Sequence, residues 1–181
     1  AKWIGYAAAC LVVLGIGGYL LGGHLVKTRQ SFTTASVMIE QTNPRGLRSR
    51  VTLPDSSVVY LGAGSSIRFP QQFAANERIL MLTGEAFFEI SKNPKRPFVI
   101  HTGEIQTIVL GTSFKITAFQ GDPLSVEVAT GKVRVSRKEN TKVAELAVLA
   151  PGEGITWDQR LGKAARIPVD IPATQGWSSG E

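Results

Sequence analysis

The stretch RVTLPDSSVVYLGAGSSIRF, Arg50 to Phe69, decides the fold class. Short runs rich in valine, leucine and isoleucine are cut by Pro54, Asp55, Gly62 and Gly64, and no apolar residue recurs at helical spacing. The same signals continue downstream: RILML gives way at Thr83 and Gly84 to AFFEIS, and SVEV gives way at Thr130 and Gly131 to KVRVS. Val126, Val128, Val133 and Val135 are expected on one face, with Ser125, Glu127, Lys132 and Arg134 on the other, as in a sheet with one wet side. FFEI and TIVL are apolar on both faces, as expected of strands covered by a second layer. The spacing predicts about ten to twelve short strands in a β-solenoid-like or sandwich-like domain. Its predicted core is Leu53, Leu61, Phe69, Phe73, Leu82, Phe88, Ile90, Phe98, Leu110, Phe114, Ile116, Val126, Val128, Val133 and Val135.

Toward the N-terminus the pattern changes. Trp3 to Gly23, WIGYAAACLVVLGIGGYLLGG, carries no charge and is long enough to cross a hydrocarbon core of about 30 Å as one helix. Trp3, Tyr6 and Tyr19 lie near its ends, and Lys2 on one side and His24, Lys27 and Arg29 on the other delimit it. A cleaved signal peptide fits less well, because the apolar run continues for about ten residues beyond AAAC. Gly18 and Gly22 form a G-x-x-x-G pair suited to close helix approach, although six glycines in the segment produce that spacing readily by chance. Counting basic residues after the span would place the larger domain in the cytoplasm. The start at Ala1 rather than methionine predicts upstream residues that carry the deciding charges. The organisation expected is a transmembrane helix over 1–24, a linker over 25–44 and a β-domain over 45–170, while 171–181 are given, by the family resemblance set out below, as the start of a truncated C-terminal signalling domain.

Composition excludes several chemistries. The net charge of +6 is spread thinly over 181 residues, which suits a basic surface facing anionic lipid better than a nucleic-acid stripe. Cys10, the only cysteine, falls inside the apolar span, so the β-domain has no disulfide or thiolate site. With two histidines far apart, His24 and His101, no metal site and no cofactor are expected. GAGSS at Gly62 to Ser66 and GK at Gly131 and Lys132 lack the strand-turn-helix setting of a nucleophile elbow or phosphate loop and read as hairpin turns. Glu85 and Glu89 read as solvated or ladder-paired carboxylates rather than a glycosidase pair. No conventional enzyme is expected.

Five ordered motifs then make the chain resemble the FecR-type anti-sigma regulators, the family of the ferric-citrate sensor. They are VTLPDSSVVYL, SSIRFPQQF, ERILMLTGEAFFEI, RPFVIHT and IVLGTSFKITAF, which together cover roughly residues 45–137. Departures are small: Ser56 and Ser57 stand where Gly-Ser is usual, Gly62 where Asn is common and Lys115 where many relatives carry Asn. The resemblance implies a single-pass inner-membrane protein with its main domain in the periplasm. It implies partners too: an outer-membrane TonB-dependent transporter, whose signal is relayed, and a cytoplasmic sigma factor bound through a domain ahead of the span. Some FecR-type regulators resemble self-cleaving proteins in which a Gly-Thr bond splits by an N-to-O acyl shift. That marks Gly111 and Thr112 in VLGTSF as a candidate self-cleavage pair. A purely structural role, Gly111 at a bulge and Thr112 opening the next strand, is the alternative at that position. For the whole protein the alternative is a bitopic cell-envelope scaffold or glycan-binding module, which would share the span and the strands and would show an exposed aromatic platform in a groove.

Overall fold

The computed structural model describes residues 37–139 and 142–179. The span over Trp3 to Gly23, with Cys10, the Gly18 and Gly22 pair and His24, lies outside the described residues. No helix among the described residues is long and apolar enough to cross a membrane. A compact unit extends over Ser36–Glu181.

Alternating apolar and polar residues, broken by turn formers, produce thirteen strands and one helix in that unit. The strands are β1 (Met38–Thr42), β2 (Ser49–Thr52), β3 (Val58–Leu61), β4 (Ser66–Pro70), β5 (Arg78–Glu89), β6 (Phe98–Thr102) and β7 (Ile105–Val109). They continue as β8 (Ser113–Ala118), β9 (Leu124–Thr130), β10 (Val133–Glu139), β11 (Lys142–Leu149), β12 (Glu153–Asp158) and β13 (Lys163–Pro168), followed by helix α1 (Ile171–Ser179). They form one nearly closed, barrel-like sheet in the order β11-β10-β7-β6-β5-β8-β9-β12-β13. Beside β5, β4 carries β1 and β3 carries β2. All pairings are antiparallel except β5 with β6. This replaces the solenoid expectation, since a solenoid needs stacked parallel coils.

Strand β5 joins the two halves of the sheet. Its first half pairs with β4 and β6, and its second half with β3 and β8. The sequence expectation of two strands split at Thr83 and Gly84 is corrected here: the twelve residues form one strand, and Gly84, at φ +92°, is where it passes between half-sheets. A Cβ on Gly84 would lie 2.4 Å from Ser65 Oγ, so only glycine fits. The supposed hairpins are also corners. Gly62–Ser65 carries the chain between β3 and β4, which never pair with each other, and Gly131 and Lys132 do the same between β9 and β10.

Thirteen of the fifteen expected core residues are buried. Phe73 is half-buried against the ring of Phe98 at 5.6 Å. Leu110 is exposed, because the chain leaves β7 there and turns into the next corner. Phe87 and Phe88 are both buried, on opposite faces of β5: Phe88 stacks on Phe114 in the core at 5.1 Å, while Phe87 lies on the outer face. Strand β1 lies within the stretch read as linker and pairs along its whole length with β4.

One buried ion pair fastens this arrangement. Arg78 Nη1 donates to Asp55 Oδ2 at 2.6 Å and to the Ser91 carbonyl at 2.9 Å, and Nε donates to the Arg96 carbonyl at 3.0 Å. Asp55 also accepts from Ser57 Oγ at 2.7 Å, and Ser57 Oγ accepts from the Ser91 amide. The Arg78 side chain is 1% exposed, so removing its anion leaves a buried charge with two backbone carbonyls and the Phe98 ring but no counter-ion. Loss of one partner of such a pair costs about 3–5 kcal/mol. Asp55→Ala is therefore expected to lower unfolding stability by that amount in chemical denaturation, with Asp55→Asn no better than halfway.

His101 lies half-buried on the outer face of the first half-sheet. Burial first, and Lys138 second, hold its pKa below the ordinary 6.5, against an opposing pull from Glu77. The folded protein thus binds its proton less readily than the unfolded chain. The neutral side chain's contribution is complete above about pH 6.5 and is lost as pH falls through the lower folded value. Stability measured from pH 7.5 downward is expected to fall more steeply for the wild type than for His101→Gln across that window.

Candidate functional site

The Gly111 and Thr112 pair forms the corner between β7 and β8, in the order in which the strands demand a crossing from one half-sheet to the other. Gly111 has φ +148°, and a Cβ there would lie 2.5 Å from Lys92 Cα. The segment after β5 brackets the pair, with the Asn93 amide donating to the Leu110 carbonyl at 2.7 Å and the Ile90 amide donating to the Thr112 carbonyl at 2.9 Å. On the other side Gly131 is equally constrained, since a Cβ would meet Thr112 Cγ2 at 2.5 Å and the Gly111 carbonyl oxygen at 2.9 Å. The Ser113 amide donates to Thr130 Oγ1 at 2.9 Å, next to a register shift between Ser113 and Phe114. Three corners are thus stacked, two of them with a glycine at the contact.

Thr112 is 4% exposed and its Oγ1 is buried without a hydrogen-bond partner. A buried hydroxyl ordinarily finds one, and leaving it unpaired costs about 1–3 kcal/mol. Packing therefore accounts for Gly111 and for the Thr112 methyl, and leaves the hydroxyl unexplained. The pair borders an open groove of about 330 Å³, also lined by Ser56, Glu89, Lys92 and Thr130. Glu89 and Lys92 supply its ionisable groups.

Of the two glutamates singled out from the sequence, Glu89 lines this groove and Glu85 does not. Glu85 pairs with Lys115 Nζ at 3.2 Å and accepts from Thr117 Oγ1, a ladder-paired carboxylate as expected. Among the described residues no group of three or more His, Cys, Asp or Glu side chains could hold a metal. Trp157 is buried, its Nε1 donating to Glu104 Oε1 at 3.1 Å.

Ser56, on the groove's rim, has φ +66°, the single positive φ at a non-glycine among the described residues. It stands in the turn LPDSS, where the FecR-type motif carries glycine. A family profile described as FecR protein matches residues 40–134, more than half of the chain. The chain belongs to the FecR family. Two crystal structures of a "putative anti-sigma factor" from Parabacteroides distasonis ATCC 8503 share the fold. One is 33% identical with a TM-score of 0.71, covering 80% of this chain and 66% of its own. The other is 34% identical with a TM-score of 0.70, covering 78% and 65%. The chain thus spans just under two thirds of each. No curated protein matches it.

The FecR glycine identifies what Ser56 costs. A left-handed residue other than glycine is strained by roughly 1–2 kcal/mol, partly offset by the roughly 0.5–1 kcal/mol of extra chain entropy that glycine loses on folding. Ser56→Gly is expected to raise stability by about 0.5–1 kcal/mol, read as a higher urea midpoint with unchanged slope.

Proposed function

We propose that this FecR-family chain is the outer, signal-relaying part of a transmembrane anti-sigma factor. The observation carrying the proposal is the shared fold, at one third identity, with the two crystal structures described as a "putative anti-sigma factor". In this reading the β-domain lies in the periplasm, tethered to the inner membrane by the Trp3 to Gly23 span. It receives a signal from an outer-membrane TonB-dependent transporter, and the cytoplasmic side of the protein holds a sigma factor. The transporter contact falls to residues beyond about 170, while the β-domain transmits or restrains the signal. Affinity-tagged product of the chromosomal gene, extracted from the native membrane, is expected to carry a sigma factor identifiable by mass spectrometry. Deleting residues 45–170 is expected to alter transcription of that sigma factor's targets. Absence of any sigma factor from the preparation, or an unchanged transcript profile in the deletion strain, overturns the reading. If residues 28–170 alone captured the transporter's signalling domain at full affinity, the division of labour would be wrong.

The unpartnered Thr112 hydroxyl supports a second activity, self-cleavage between Gly111 and Thr112. Oγ1 attacks the Gly111 carbonyl carbon, the bond to the Thr112 nitrogen breaks, and the hydroxyl proton passes to that nitrogen. The resulting ester is hydrolysed by water to a Gly111 carboxylate and a Thr112 amine with its hydroxyl restored. The two pieces would stay paired through the sheet, so native chromatography does not detect the event. Denaturing electrophoresis is expected to show fragments of about 110 and 70 residues that disappear in Thr112→Ala. A single full-length band for fresh wild-type protein under all conditions rules the reaction out.

A further inference from the structure

Helix α1 is held on the sheet by its side chains rather than by an apolar stripe. It starts properly: Asp170 caps it, its Oδ1 accepting from the Ala173 amide at 3.4 Å and its carbonyl from the Thr174 amide at 2.9 Å, and Pro172 falls in the first turn. Nine residues with Gly176 inside are too few and too poor in helix formers to be stable in isolation. Its position on β8 and β9 therefore depends on what it touches. Thr174, 4% exposed, has its Oγ1 proton shared between the Asp170 carbonyl at 3.0 Å and Glu127 Oε2 at 3.3 Å. The Trp177 ring lies between two cations, with the Arg48 guanidinium carbon 4.5 Å and Lys115 Nζ 5.9 Å from its centroid. Arg48 Nη1 also donates to the Trp177 carbonyl at 2.8 Å, satisfying one of the acceptors that every helix C-terminus leaves open.

The surface beneath is ordered for this purpose. Tyr60, Phe87, Lys115 and Glu127 stand in one cross-strand row over β3, β5, β8 and β9, on the outer face. Phe87 is only 1% exposed although it points away from the core.

We propose that Arg48, Lys115 and Glu127 form a releasable clamp for α1, and that this outer face is a docking surface covered reversibly by the chain's own C-terminal segment. The inference rests on these contacts and stands whether or not the anti-sigma reading holds. Release breaks the Thr174 to Glu127 hydrogen bond, the Arg48 cap and two cation–π contacts, and none of the core residues belongs to α1. It uncovers Lys115 and Glu127, the β8 and β9 end of that row.

Hydrogen exchange followed by mass spectrometry on the 181-residue chain in detergent tests this. Amides of 174–179 are expected to exchange at least 100-fold faster than those of Leu80, Leu82 and Phe88 in β5. Trp177→Ala and Arg48→Ala are each expected to speed α1 exchange a further tenfold or more while leaving β5 unchanged, and Trp177→Phe, which keeps a ring for the cations, should restore most of the protection. Equal protection of α1 and β5 would mean that the helix opens only with global unfolding, and would overturn the proposal. So would equal acceleration of helix and strands by Trp177→Ala. Exchange in 174–179 that slows as protein concentration rises would show α1 supplied by a second copy and would overturn the assignment to the same chain.

Discussion

Everything in this fold depends on β5 bending back on itself. Arg78 opens the strand and Ser91 follows its end, and an extended chain between them would run roughly 40 Å. Yet Arg78 Nη1 touches the Ser91 carbonyl at 2.9 Å, so the two ends of β5 lie within one side chain's reach. The bend is possible because Gly84 accepts a positive φ with Ser65 packed where a Cβ would be. It is fastened because Ser65 Oγ accepts from the Glu85 amide at 2.8 Å and the Arg78 and Asp55 pair closes the mouth. The bend also resolves a topological demand. Parallel strands need a long crossover between them, and β6 can lie parallel to the start of β5 because the second half of β5 serves as that crossover.

A strand that belongs to both half-sheets forces the rest of the chain to cross between them repeatedly, and each crossing needs a tight corner. The corners at Gly111 and Gly131 meet, and their close approach is available only to glycine on either side. The motif LGTSF is therefore explained by packing up to the Thr112 hydroxyl. Serine or valine would leave different atoms at that place, and nothing in the corner's geometry calls for a donor with no acceptor. The hydroxyl is the polar atom of this corner that packing leaves unexplained, and the Thr102 and Thr107 hydroxyls are likewise buried without partners.

Much of this was legible in the sequence, and the failures have identifiable causes. Alternation placed Val126, Val128, Val133 and Val135 inward, and doubled apolar residues marked Phe87 and Phe88 as covered on both sides, because side-chain period depends on local backbone geometry alone. Thr83 and Gly84 read as a turn because a glycine between two apolar runs signals a reversal in most hairpins; a bend within one strand uses the same residue for the same φ. The corners at Gly62 and Gly131 read as hairpins for the same reason, since pairing partners are a long-range property. Leu110 misled because its burial depends on where β7 ends. The clamp left almost no local trace: Arg48 and Trp177 are 129 residues apart, and α1 has no apolar stripe to announce a docked helix.

The clamp and the bend share a residue. Lys115 lies toward the Trp177 ring on one side and pairs with Glu85 on the other, and the Glu85 backbone is what Ser65 and Gly62 hold at the corner beside Gly84. Adjacency by itself transmits nothing unless a shared contact differs between two states. The release proposed above would make it differ. With α1 in place the Lys115 and Glu85 side chains are about one fifth exposed; were the helix released, the pair would be more open to water, where such pairs contribute little. Departure of the helix therefore withdraws bracing from the segment next to the bend without breaking a backbone hydrogen bond. A sheet continuous through one flexed strand is thereby sensitive, at its flexure, to whether its C-terminal segment is docked.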